Sequence, residues 1–329
     1  DVNGDSNLAD GIGANNVTVR LYLDNGDGTP NGLDTFVAST VTVGGNYAFS
    51  GLANATYWVV VDSRTIAPSA GINSGFGQSD VWAEQTYGSA GSVGYSGSYT
   101  FSGTAGAFFG GMQGSVSDNA ATLATSEHVT RVVTSGAADV ANVNSGFSFN
   151  VVTTTRGGDA VDDDGAANRT VQGSLRQFIQ NANAIVGANA MRFVPAETTN
   201  ASGNGGNWWS IGVTVALPSI TDGFTTIDGT AYSSSDGVTI VDPNAGQLGA
   251  GGSVGTDGLS LSQVERPELE IRNLRTVSGV QAGLSLQSAN DTVRNLAIYG
   301  FGGGVFNNNE TNIYVGAAGN NAIIEGNIV

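Results

Sequence analysis

Two residue types are missing from this chain of 329 residues, and each absence removes a chemistry. With no cysteine, neither a disulfide framework nor a thiolate metal site can form. With no lysine, all 11 basic residues are arginine. Histidine occurs once, at His128, so the side chain that most often moves protons near neutral pH is almost absent. Positive charge as a whole is scarce: 28 acidic residues leave a net charge of −17, which repels phosphate backbones and argues against a nucleic-acid partner. No run approaches the ~18 apolar residues of a membrane-spanning helix, so no membrane span is expected in this segment. Charged residues make up only 12 % of the chain against 40 % hydrophobic, the reverse of a disordered composition.

What fills the chain is glycine, at 50 residues, with Ser, Thr, Asn, Asp and Val behind it. Turn formers mixed with β-branched residues predict short strands joined by frequent turns, hence an all-β fold. Val17, Val19, Leu21 and Leu23 alternate onto one face ahead of an Asp-Asn-Gly-Asp-Gly turn at 24–28. Strand-like runs follow at 36–43, 46–49 and 56–61, a spacing that predicts a β-sandwich over 1–152. The Gly- and Ser-rich stretch 63–137 carries Trp82, Tyr87, Phe101 and Phe109, aromatics that a solvated linker would waste, and is read as a long insertion in that sandwich. The run 143–152 reads as its closing strand.

A polar Thr- and Asp-rich boundary at 153–165 precedes the one convincing helix. Ser174 and Gln177 form a capping box, and Leu175, Phe178, Ile179 and Ala182 recur at helical spacing, predicting a helix over about 175–186. Short apolar runs then return at 191–194, 211–217, 225–227, 238–241, 259–261, 269–271, 284–286, 292–298, 313–315 and 322–324. Runs of this size at irregular intervals predict the rungs of a parallel β-helix over 153–329, with aliphatic residues inward, Asn273, Asn295 and Asn327 stacked at its corners, and the helix covering its first rung. The chain opens inside what reads as a motif and closes on a strand-like run, so both ends are expected to be cuts from something longer.

Oxygen ligands are the main candidate chemistry. Asp1, Asn3, Asp5 and Asp10 offer hard donors within one turn, as Ca²⁺ requires, and Asp24, Asp27 and Asp34 offer a second set. The EF-hand pattern is not met, since Ser6 stands where it needs glycine and Ile12 where it needs glutamate. Asp159, Asp162, Asp163 and Asp164 read as a solvated linker. His128, beside Glu127, reads as a surface or sheet-edge histidine, and no Gly-x-Ser-x-Gly elbow accompanies it. In the second half Arg272, Arg275 and Arg294 with Glu268, Glu270 and Asp291 are the set a polysaccharide lyase or glycosidase could use, although alternating charges on neighbouring rungs more often form surface ion pairs. Trp58, Trp208 and Trp209 could stack on sugars but read as packed aromatics.

Two series of motifs carry a family resemblance. Asp1-x-Asn3-x-Asp5, Gly13-x-x-x-Val17-x-Val19-x-Leu21-Tyr22, Gly45-Asn46-Tyr47-Ala48-Phe49-x-x-Leu52, Tyr57-x-Val59-x-Val61 and a closing run from Ala138 to Phe147 resemble the Cna-B-like, SdrD B-type repeat domains of bacterial surface adhesins. The stretch between 63 and 136 is far longer than such a repeat needs. The series from Val151 through Gly173-Ser174-Leu175-Arg176-Gln177 to Thr226-Ile227-Asp228-Gly229 is similar to the N-terminal cap of secreted right-handed β-helix surface proteins. The first resemblance implies Ca²⁺ sites that rigidify the module. The Lys–Asn isopeptide bond common in such domains is excluded, because there is no lysine.

Together these readings predict a Cna-B-like β-sandwich followed by the capped N-terminal part of a right-handed parallel β-helix. The expected role is a non-catalytic, calcium-stiffened stalk, adhesin or fibre subunit, extracellular or at the cell surface. Its expected partners are copies of itself, neighbouring surface proteins or surface polysaccharide. The alternative is a polysaccharide-active enzyme working on the β-helix face.

Overall fold

The alternating residues after Val17 form the strand Thr18–Leu23, which lies inside a four-stranded antiparallel sheet in the order Thr35–Val41, Thr18–Leu23, Thr56–Val61, Val129–Val133. The computed structural model describes residues 1–95, 97–112, 119–136, 138–155, 172–274, 280–302 and 311–329. Their regular structure is mostly β-strand, with one α-helix and four short 3₁₀ turns among the described residues. Its two inner strands are covered on both faces, whereas the edge strand Thr35–Val41 is largely exposed. Val19, Leu21, Tyr57 and Val59 pack with Tyr47 and Phe49 on one side, and Tyr22, Trp58 and Val60 with Val93, Met112 and Leu123 on the other. Trp58 is fully buried and stacks against Phe101 at 6.2 Å, so it is core and not a sugar platform. The run 46–49 forms no strand; only an isolated bridge joins Val43 to Asn46.

Residues 63–137 contribute to the sheets themselves. Val129–Val133 pairs with Thr56–Val61, and Glu84–Gly88 is the middle strand of a second, three-stranded sheet between Gly106–Ala107 and Ser145–Ser148. The run 143–152 is two strands: Ser145–Ser148 joins that sheet, whereas Val151–Val152 pairs in parallel with Arg192–Phe193.

From there, among the described residues, the strands stack mainly in parallel, apart from nearer antiparallel pairings such as Gln247–Leu248 with Val264–Glu265. Asn189–Ala190, Thr225–Asp228, Thr292–Arg294 and Ile323–Glu325 stack in one sheet. Gly206–Val213, Leu269–Asn273 and Leu296–Tyr299 stack in a second, and Ala282–Leu286 with Thr311–Val315 in a third. Register places Ile211, Ile271 and Ile298 in line and Ile227 beside Val293, and all of them lie in one core with Phe193, Leu284 and Leu286. The stacked rows are close-packed: a Cβ on Gly229 would sit 2.2 Å from the Asn295 carbonyl oxygen, so only glycine fits there.

Three expectations about the rungs are corrected. The run 238–241 makes only a bridge from Ile240 to Tyr232, and Leu259–Ser260 pairs antiparallel with Ser253–Val254 in an exposed excursion. The asparagines do not form one ladder. Asn273 ends a strand of the second sheet, Asn295 hydrogen-bonds Asp228 and Thr230, and Asn327 instead bonds the backbone of Val293 and Leu296.

The helix α1 spans Leu175–Ala184. Ser174 Oγ accepts from the Gln177 N–H as expected, but Gln177 Oε1 reaches one residue further, to the Gly173 N–H at 2.8 Å. Its apolar stripe, Leu175, Phe178, Ile179 and Ala182, sits in the core of the parallel ladders. The opposite face is buried too, against the first half of the chain. Asn181 Nδ2 donates to the carbonyls of Trp82 (2.7 Å) and Phe149 (3.0 Å), and Asn181 Oδ1 accepts from the Trp82 N–H at 2.9 Å. Gln177 Nε2 adds a bond to the Trp82 carbonyl, and the Asn73 N–H donates to the Ala184 carbonyl. The helix is therefore a two-faced joint, apolar toward one half and amide-bonded to the other.

Candidate functional site

The opening loop curls around the Asp1 carboxylate, which accepts the backbone N–H groups of Gly4 (2.9 Å), Asp5 (3.2 Å) and Ser6 (2.8 Å). Asn3 Oδ1 accepts from the Asp5 N–H and Asp5 Oδ1 from the Asn7 N–H, the local bonds expected of Asx turns. The loop is completed by left-handed backbone at Gly4 (φ 75°) and Ser6 (φ 64°). Its result is convergence: carboxylate oxygens of Asp1, Asp5 and Asp10 all lie within 4.8 Å of one another. Three like charges at this spacing repel, and a hard dication relieves the repulsion while using the same oxygens. Asn3 lies beside them, its Nδ2 donating to Asp5 Oδ2 at 3.1 Å.

The loop also bridges the two halves. The Val2 carbonyl accepts from Asn150 Nδ2 and Ser148 Oγ, and Ser6 Oγ donates to the Asp236 carbonyl in the parallel-ladder half. Arg192 reinforces that contact, donating to the Gly237 carbonyl at 2.7 Å and lying 4.2 Å from the Tyr232 ring centre. Beside the loop is an open cleft of about 670 Å³ whose walls include Leu8, Ile12, Val17, Phe147, Phe149 and Ile185. Among the described residues, Asp1 is the one charged residue lining it.

The second acidic loop is built differently. Asp24 accepts from the Gly28 N–H, Asp34 from the Asn25 and Asn31 N–H groups, and Asp27 from Thr29, Asn25 and Asn31. The Thr29 N–H and hydroxyl, followed by the Asn25 and Asn31 amides, hold the Asp27 carboxyl below the usual carboxylate range. Among the described residues, Asp24, Asp27 and Asp34 do not converge as the first set does. Asp159, Asp162, Asp163 and Asp164 lie outside the described residues, as does Arg275.

No family model matches the chain, and no solved structure matches it. The site must therefore be judged on its own geometry.

The charged residues of the parallel half separate into distinct networks. Glu270 pairs with Arg272 at 3.2 Å and accepts from Trp208 Nε1 and Ser210 Oγ. Arg294 pairs with Asp228 at 2.8 Å. Asp291 is buried and accepts from the Thr225 N–H and the Ser288 hydroxyl. Trp209 is core, edge-on to Phe193, whereas Trp208 borders a shallow groove of about 150 Å³ with Asn204, Arg266 and Glu270.

Glu268 stands apart. Burial, then a hydrogen bond to Asp242, pushes its carboxyl up to about 8. The folded chain thus keeps a proton that the unfolded chain releases near the ordinary value of 4.5. Stability contributed by that proton is complete below this lower value and is lost as pH rises toward 8. Glu268→Gln is expected to remove this loss and so flatten the pH dependence of the urea midpoint between these limits. A wild-type midpoint unchanged from pH 5 to 8 would contradict it.

One expectation is reversed. His128 is not at the surface but 2 % exposed, packed edge-on to Phe147 at 5.0 Å just before the strand Val129–Val133. Its neighbours Gln85 and Glu84 come from a strand, Glu84–Gly88, that sequence reasoning missed because Glu-Gln-Thr-Tyr-Gly shows no apolar alternation.

Proposed function

We propose that this chain is a calcium-stiffened structural segment of an extracellular or cell-surface protein: a Cna-B-like β-sandwich joined to the capped start of a right-handed parallel β-helix. The observation that carries the reading is the position of the convergent carboxylates. Asp1, Asp5 and Asp10 sit in a loop hydrogen-bonded to Ser148 and Asn150 on one side and to Asp236 on the other. A cation held there stiffens the loop that ties the two halves together. The stacked Ile211–Ile271–Ile298 row and the helix packed on its core favour a load-bearing rod with a closed end. Copies of the same protein, neighbouring surface proteins or surface polysaccharide are the partners such a rod would meet.

Calcium at about 100 times its Kd is expected to stabilise the folded chain by about 2.7 kcal/mol, read as a rise in melting temperature that chelation reverses. If the site has the affinity of other extracellular modules, with Kd on the order of 10⁻⁴–10⁻³ M, that means about 10–100 mM Ca²⁺. Asp1→Asn with Asp5→Asn removes the shift, and Asp24→Asn leaves most of it. A melting temperature indifferent to Ca²⁺ sinks the calcium part of the proposal.

The Trp208–Arg266–Glu270 groove favours a second reading, a polysaccharide-active face. Release of unsaturated oligosaccharides, abolished by Arg272→Ala, would replace the structural reading with that one.

A further inference from the structure

The outward face of the second parallel sheet carries an arrangement that packing alone does not require. In register across its three strands, Ser210 lies beside Glu270 and then Ala297, and Gly212 lies beside Arg272 and then Tyr299. Trp208 stands two residues before Ser210 on the same strand and shares that face. The opposite face holds Trp209, Ile211, Ile271 and Ile298, which belong to the core.

Glu270 organises this face. It is 5 % exposed, and one of its oxygens accepts from Trp208 Nε1 at 2.9 Å. The other accepts from the Ser210 hydroxyl and pairs with Arg272 Nε at 3.2 Å. Ser210 Oγ in turn accepts from Arg272 Nε at 3.0 Å. A buried carboxylate engaged in this way orients an indole and a guanidinium on rigid strands and does not itself reach a ligand.

The parts so oriented face solvent. The Arg272 side chain is 46 % exposed, and no described residue bonds its two Nη groups. Tyr299 beside it is 44 % exposed. Trp208 borders the shallow groove, where a Cβ on Gly203 would lie 3.3 Å from its ring, so glycine at that position keeps the ring clear.

Shape and charge select the ligand. At about 150 Å³ the groove is smaller than the ~300–1,000 Å³ of a pocket that encloses a small molecule, and it suits a chain crossing the face. A peptide would bring backbone groups that need partners, but these strands already use theirs in the ladders. A polyanion is repelled by a net charge of −17, and a polycation meets the Arg266 and Arg272 guanidinium groups at this face. An uncharged polyhydroxylated chain meets neither obstacle. It offers C–H surfaces to the indole and oxygen acceptors to the Nη donors.

We propose that Trp208, Arg272 and Tyr299, positioned by Glu270, bind an uncharged polysaccharide without cleaving it. Among the described residues lining the groove Glu270 is the one carboxylate, so the pair that glycoside hydrolysis uses is not assembled there. The inference rests on the surface-protein reading for a polysaccharide within reach, but calcium takes no part in it.

The test is native electrophoresis of the whole chain through gels containing hydroxyethylcellulose, a soluble α-mannan or dextran, with polygalacturonate and polylysine as charged comparisons. Retardation by at least one uncharged polymer is expected, weakened about 10-fold or more in Trp208→Ala and in Arg272→Met and only partly in Trp208→Phe. Asp1→Asn is expected to bind as the wild type does, so loss of the calcium-dependent melting shift and loss of polysaccharide binding are separate outcomes. If Trp208→Ala fails to fold, Arg272→Met decides, since its side chain is half exposed. No retardation by any uncharged polymer, retardation by the charged ones alone, wild-type binding in folded Arg272→Met, or shortening of the bound polymer would each overturn the proposal.

Discussion

Asn181→Leu is expected to cost about 4 kcal/mol and to split unfolding into two calorimetric transitions, one for each half of the chain. Asn181 is 2 % exposed and satisfies three backbone groups of the first half: the Trp82 N–H, the Trp82 carbonyl and the Phe149 carbonyl. Leucine matches asparagine in size but offers none of those bonds, and each buried group left unsatisfied costs about 1–3 kcal/mol. Gln177 still donates to the Trp82 carbonyl, which places the sum below the simple maximum. Asn181→Asp is the informative control, since it keeps the acceptor for the Trp82 N–H and loses the two donated bonds. One undisturbed transition in Asn181→Leu would mean that the halves are coupled elsewhere.

Phe178→Ala is expected to cost about 3–5 kcal/mol, and to act on the other side of the same helix. Phe178 is 1 % exposed and packs in the core with Val152, Phe193 and Ile211. Truncating it leaves a cavity under the parallel ladders, without touching the amide bonds to Trp82. In the Asn181→Leu background, the added Phe178→Ala change is expected to lower only the transition of the second half. Equal shifts in both transitions would show that α1 does not divide its faces in this way.

Much of the helix could be read directly, because its signals are local. Ser174, Gln177 and the Leu175–Phe178–Ile179–Ala182 spacing act within a few residues of one another. What could not be read was that its polar face is buried, since Trp82 is 99 residues away. The strands Thr18–Leu23 and Thr56–Val61 were legible from their apolar residues. Glu84–Gly88 was not, because the sheet and its neighbours bury it in spite of its composition. Leu259 and Leu261 alternate like a rung, yet glycine turns at 255 and 258 fold them into a hairpin. The closeness of Asp1, Asp5 and Asp10 follows from their spacing within one turn. Glu84, Glu127 and His128 meet only after two sheets have formed.

The parallel ladders also govern how quickly the chain reaches this state. Arg294 bonds Asp228 across 66 residues, and each such pair must close its intervening loop before any ladder bond rewards it. Hairpins such as Val93–Tyr95 with Tyr99–Phe101 close after only a few residues. Folding is therefore expected to begin with the antiparallel sheets. Val151–Val152 then pairs with Arg192–Phe193, and later strands extend the parallel ladders begun by Asn189–Ala190, Gly206–Val213 and Ala282–Leu286. Growth of this kind has one direction, and its pace is that of the widest loop and not of the helix.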